Sequence, residues 1–419
     1  MTSSDHVDCG CSDFSRSRRT LLGGAAALGA SLTVHGWSRP GVASAATVGE
    51  HDSVVVVLSL RGGSDGLSLV VPHGDPAYSA ARPRIAIPPE QLLVADPMFG
   101  LHPGFAPLLP LWRSGNFAAV HAVGLPMPNR SHFQAMELIE DANPGSAERR
   151  GWINRLIGGL AGDDPVEGVQ LGVGSVSTAL FGPEASLALS SLSSLELPGQ
   201  GTGLEAATRS SLAQTWLVED GPLGSGARTA LDVTSRLSYL AAPPTSPPPT
   251  PYPRGEIGTS LSECARLIRA QVGAAVVSVE HGSWDMHTSV GLAPAGRMRA
   301  MVDELAGAIA AFFTDLGELA DSVTLVTISE FGRRVAENGT SGLDHGYGNC
   351  MLTIGAGVRG GRYVAEWPGL GQAQLIDDDL AVTVDYRSVL SEVVRARFPA
   401  VSRPTVFPGF VAEDVGVML

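Results

Sequence analysis

Five side chains carry the chemistry of divalent-cation ligation: Asp65 in "RGGSDGL", Asp285 and His287 in "GSWDMH", Glu330 in "SEFGR" and His345 in "GLDHGYG". Mixed carboxylates and imidazoles suit zinc, manganese, magnesium or calcium. Asp285 and His287 are two positions apart, so on an extended backbone both point to one face and can share an ion. Trp284 beside them favours a partly buried site over a solvated loop. His132, His281, His102 and Asp344 are candidates for holding such ligands from behind.

Two serines compete as nucleophiles. Gly62, Ser64 and Gly66 satisfy G-x-S-x-G, the strand-to-helix elbow of one hydrolase class, and Asp285 and His345 could complete a triad in chain order. However, "GLSLVVP" after Ser64 has strand character, which leaves that elbow without its helix, and Asp65 is the better functional reading of the motif. Ser131 in "PNRSHFQAM" opens a helix and forms a capping box with Gln134 on spacing. The same position lies in the positive field of a helix start, which stabilises an alkoxide or the oxyanions of phosphate or sulfate. Arg130 next to it adds a bidentate donor for such oxygens.

These residues need strands that end side by side. From Ser53 onward short β-branched runs alternate with amphipathic segments, which predicts an α/β fold with a mostly parallel sheet. "SVVVVLSL", "NFAAVHAVG", "VEGVQLGV", "AAVVSVE", "VTLVTIS" and "NCMLTIGAGV" read as strands. The polar clusters follow or precede these runs, as expected of a ligand crevice beyond the carboxyl ends of an open sheet. "HPGFAPLLPLWRSG", "SHFQAMELIEDA", "SLSECARLIRAQV", residues 296–319 and "DYRSVLSEVVRARF" read as helices. Residues 181–242 depart from this rhythm and are expected as an inserted cap or lobe, followed by a proline-rich linker over 243–253.

Composition narrows the function classes. The chain has 419 residues and a net charge of −14, which speaks against a nucleic-acid partner. It contains no lysine, so a P-loop or a Schiff-base mechanism is excluded. Arg18 and Arg19 precede a small, weakly apolar stretch and "VASAA", the pattern of a twin-arginine export signal cut near Ala45. Residues 1–45 are therefore expected as a signal peptide read by the twin-arginine translocase. The rest, 46–419, is expected in the periplasm, the cell wall or the medium. Cys264 and Cys350 could pair in such a compartment.

The order Asp65, Ser131, Asp285 with His287, Glu330 and His345 resembles the metal-site layout of the alkaline phosphatase and sulfatase superfamily. More closely, "RGGSDGL", "LHPGF", "NRSHF", "GSWDMH", "SEFGRR" and "DHGYG" resemble an exported bacterial domain-of-unknown-function family with sulfatase-like members. That resemblance implies an alkaline phosphatase-like three-layer sandwich. It implies one metal on Asp285, His287 and His345, a second on Asp65 and Glu330, Ser131 as nucleophile, and Arg130 or Arg333 on the remaining oxygens. Phe331 stands where the phosphatases have a histidine, which weakens the second site. The expectation is one or two divalent ions and hydrolysis of an anionic small-molecule or wall-polymer ester. The rival expectations are a non-catalytic envelope protein with a structural or ligand-binding metal, and a serine esterase using Ser64.

Overall fold

The computed structural model describes residues 32–35, 52–196, 205–219 and 221–419. In chain order its strands are β1 (Leu32–His35), β2 (Val54–Leu60), β3 (Val70–Val71), β4 (Gly100–Leu101), β5 (Phe117–Gly124) and β6 (Gly168–Leu171). They continue with β7 (Ser186–Leu189), β8 (Val276–His281), β9 (Val323–Ile328), β10 (Asn349–Gly355), β11 (Arg362–Val364) and β12 (Val384–Asp385). The large sheet runs β1-β7-β6-β8-β2-β9-β10-β5-β11, with β12 also on β5, while β3 and β4 pair apart. From β7 to β9 neighbours are parallel; β10 is antiparallel to both β9 and β5.

The near-continuous apolar run of β2 is explained by burial on both faces. Val54, Val56, Leu58 and Leu60 point into one core, shared with the helices Glu256–Arg269 and Arg297–Leu316. Val55 and Val57 point into the other, shared with His132–Asp141, Trp152–Ile157 and Tyr386–Arg397. Alternation along the strand therefore feeds two helix layers, and the expected mixed α/β architecture with a mostly parallel sheet is observed.

Several expectations change on contact with the structure. The stretch 181–242 supplies β7 to the main sheet, and its helix Pro222–Leu237 buries Val233 and Leu237 in the first core. Residues 32–35, within the expected leader, pair with β7 as an edge strand; Arg18, Arg19 and Ala45 lie outside the described residues. Cys264 and Cys350 are both free and buried. Among the described residues no helix is long and apolar enough to cross a membrane.

Three core histidines give the fold a pH limit. Burial pushes His102, His121 and His281 down to about 4, because the interior penalises the imidazolium. The unfolded chain takes up these protons as pH falls through 6.5, and the folded chain does so only near 4, so stability falls across that window. Urea midpoints should therefore drop between pH 7 and pH 5. His281 packs edge-on against Trp284 and leaves Nδ1 unpartnered, so His281→Phe should keep more of its stability over this interval than wild type. Equal losses in the two proteins would remove His281 from this account.

Candidate metal centre

Strand register brings the polar loops together. Leu60 pairs with His281 and Ser59 with Ile328, so β2, β8 and β9 end at one edge of the sheet. Because β10 runs the other way, its first residue Asn349 lies at that same edge, opposite Val123 near the end of β5. Five loops thus emerge side by side: 61–65, 282–287, 329–333, the approach to β10, and the segment from β5 into the helix at His132.

The loop after β2 binds these segments together. Gly62 has φ +109°, and a Cβ on it would sit 2.7 Å from the Asp285 amide nitrogen; one on Gly63 would strike the Phe331 ring at 2.5 Å. Only glycine permits both the backbone conformation and the approach. The Gly62 amide donates to Glu330 Oε1 at 2.8 Å. Buried Arg333 donates to the carbonyls of Gly62, Gly63 (2.6 Å) and Leu343 (2.9 Å), and to Asp285 Oδ1 at 2.6 Å. One guanidinium therefore fastens three loops and aims the Asp285 carboxylate.

Three imidazoles converge on that carboxylate. His132 Nδ1 donates to Glu330 Oε1 (2.8 Å), His287 Nδ1 to Asp344 Oδ1 (2.9 Å) and His345 Nδ1 to the Arg130 carbonyl (2.9 Å). Carbonyls and ionised carboxylates only accept, so the ring protons are assigned to Nδ1 and each Nε2 carries a lone pair. These lone pairs face one another: His132 and His345 Nε2 are 3.0 Å apart, as are His345 and His287 Nε2. Asp285 Oδ1 lies 3.7, 3.0 and 3.4 Å from the Nε2 atoms of His132, His287 and His345. Phe331 packs under the rings of His132 and His345, with centroids at 4.8 and 4.9 Å.

Such a cluster of acceptors is repulsive unless a cation or an added proton lies among them. The ligand atoms of His132, Asp285 and His345 are mutually within 4.8 Å, and His287 closes a second triangle on the Asp285–His345 edge. Nitrogen and oxygen donors at the usual distance from tetrahedral zinc stand about 3.3 Å from each other, and the separations here lie on both sides of that. The residues thus fit a small divalent ion, with second-layer acceptors fixing each ring.

Electrostatics agree with a cation-binding set. Burial opposes ionisation of Asp285, but the Arg333 hydrogen bond and charge hold its carboxyl below the usual value. The His287 ring N–H does the same for Asp344. Desolvation, with the Arg333 charge nearby, lowers His345, which favours the neutral ring a metal requires.

The other residues singled out in the sequence are placed differently. Asp65 is buried and bound through both oxygens to buried Arg82, at 2.5 and 2.9 Å. Burial alone would raise its pKa, but the Arg82 charge and hydrogen bonds hold it low. The geometry therefore gives Asp65 to an ion pair, and the expected second site on Asp65 and Glu330 does not assemble. Glu330 is buried and holds Gly62 and His132 from behind. Ser64 is fully buried with its hydroxyl on Asn349 Nδ2 (3.3 Å), and His345 spends Nδ1 on Arg130, so no esterase triad forms. A single helical turn, Gly66–Leu69, does follow it.

Arg130 turns its guanidinium to Asp379 and the Asp377 carbonyl rather than to the cluster; its own carbonyl orients His345. Ser131 caps the helix His132–Asp141 by position, but its side chain makes no cap hydrogen bond, so the expected box with Gln134 is not formed. His281 and His102 are buried away from the ring cluster, each with one nitrogen unpartnered. Sequence reasoning missed Arg82 and underrated His132, which stands among the converging donors. The signal for His132 was there: it sits at a helix start beside Ser131 in "NRSHF".

Residues 117–391 match the family described as Protein of unknown function (DUF1501), and the chain belongs to that family. The matched span contains every residue of the ring cluster and leaves Asp65 outside. Among solved structures, a crystal structure of the PsFucS1 sulfatase from Pseudoalteromonas sp. aligns over 88% of this chain and 72% of that one, at 12% identity and a TM-score of 0.33. Comparison with curated proteins finds no match.

Two measurements separate the cluster from the ion pair. His132→Ala, Asp285→Ala and His345→Ala should each remove bound metal in elemental analysis of protein purified without chelators, and Glu330→Gln should weaken affinity by about 10–100-fold. Wild-type protein that stays folded and metal-free when zinc, manganese, magnesium and calcium are supplied would refute the centre. Arg82→Ala should instead cost about 3–5 kcal/mol of stability by stranding Asp65 in the core, with metal stoichiometry unchanged in the folded fraction.

Proposed function

We propose that the protein is an exported hydrolase of phosphate or sulfate esters that works with one divalent cation held by His132, Asp285 and His345, with His287 alongside. The observation that carries this reading is the set of Nε2 lone pairs converging on Asp285 Oδ1 while every Nδ1 is committed to an acceptor. Export rests on Arg18 and Arg19 and the stretch that follows them. A bound cation would lower the pKa of a neighbouring hydroxyl and polarise an ester oxygen.

The chain's own groups define the rest of the chemistry. Asp285 and His287 are about half exposed, so the cluster opens to solvent on that side and can receive a ligand. Ser131, between Arg130 and His132 in the chain, is the nucleophile this reading uses. His132 cannot take the serine proton, because Nδ1 donates to Glu330 and Nε2 faces the cation position. Arg333 donates to protein acceptors from Nε, Nη1 and Nη2, and Arg130 from Nε and Nη2. Substrate oxygens can be met at the start of the helix His132–Asp141, where no acidic residue occupies the first turn.

The test is turnover of 4-nitrophenyl phosphate and 4-nitrophenyl sulfate by the metal-loaded full chain. Ser131→Ala should abolish it while keeping metal content, and should change stability by no more than about 0.5 kcal/mol, since the hydroxyl caps nothing. Metal-loaded protein inert toward both ester classes, or a Ser131→Ala variant as fast as wild type, would sink the hydrolase reading and leave a metal-dependent binding role.

A further inference from the structure

Large apolar side chains are normally scattered singly over a protein surface, so several carried by the segments that build one polar site bear on what it binds. Phe133 is 89% exposed and Met127 73%, and both lie on the short segment that also carries Arg130, Ser131 and His132. Phe133 is the second residue of the helix His132–Asp141, a position where an acidic side chain would complement the helix end. A solvent-facing aromatic there, with no carboxylate in the first turn, leaves the positive end free and puts apolar surface next to it. Ile376, 41% exposed, is tied to the same segment: its backbone pairs with that of Asp379, whose carboxylate holds Arg130, and the adjacent Asp377 carbonyl accepts from Arg130 too.

We infer that the substrate is amphipathic: a monoester whose anionic head enters the histidine cluster at the helix start and whose alkyl or aryl part lies on Phe133, Met127 and Ile376. The head-group half rests on the reading proposed above; the apolar half rests on the exposed side chains. A small polar ester would leave this surface wet, whereas an apolar chain removes it from water and adds affinity with every methylene covered.

The experiment compares octyl phosphate with ethyl phosphate, binding to the metal-loaded full chain by calorimetry below the micellar concentration. Octyl phosphate should bind at least about tenfold more tightly. The preference should fall below about threefold in a Phe133→Ser, Met127→Ser double variant of unchanged metal content and survive in Phe133→Leu, which keeps the apolar surface. Equal affinities in wild type, no binding of either ester, or a preference that persists in the double variant overturns the inference. Turnover is scored separately: protein that prefers octyl phosphate but hydrolyses neither ester retains the amphipathic site and loses the hydrolase reading.

Discussion

At the candidate centre everything depends on which nitrogen of each histidine carries the proton. Glu330, Asp344 and the Arg130 carbonyl each take a ring N–H from behind, which turns three lone pairs toward one carboxylate. Two free neutral imidazoles at such a distance would exchange a hydrogen bond; with Nδ1 committed, these neutral rings need a cation or an added proton between them. The arrangement stores repulsion that a cation relieves, and that is the physical basis for reading it as a metal site rather than as a polar loop cluster.

The repulsion is tolerable only because the backbone beneath is over-determined. In-register parallel strands deliver the loops after β2, β8 and β9 to one edge, and the reversed β10 adds the segment carrying His345. Arg333 then fastens the loops after β2 and β8 and the approach to β10 through their carbonyls, and Gly62 and Gly63 let the β2 loop come within contact of Asp285 and Phe331. Phe331, which the sequence comparison reads as a lost ligand, is the floor against which His132 and His345 pack with tilted rings.

Carboxylates here divide by what faces them. Asp65 meets a buried guanidinium of matching fork geometry, and the pair neutralises itself inside the core. Asp285 also meets a guanidinium, but at one oxygen only and at the rim, so it stays half exposed and can serve an ion as well. The same residue type at the end of neighbouring strands is thus neutralised inside the core in one case and left open to an ion in the other. The difference lies in the partner, and Arg82 is remote from any motif.

Much of the fold was legible in the sequence, because burial on both faces demands long apolar runs and helices demand their own period; the strands at Val54–Leu60, Phe117–Gly124 and Val323–Ile328 follow from that alone. The candidate ligands Asp285, His287 and His345 were legible for a related reason: polar residues that interrupt such runs at strand ends gather at one edge of a parallel sheet. What the tertiary structure alone decided is pairing. That Arg82 would reach Asp65, that Glu330 would support His132 instead of binding an ion, and that residues 186–189 would join the main sheet are contacts between segments distant in the chain. Local composition and periodicity carry no record of them, because an ion pair or a strand register is chosen among competing partners only once the chain has closed on itself.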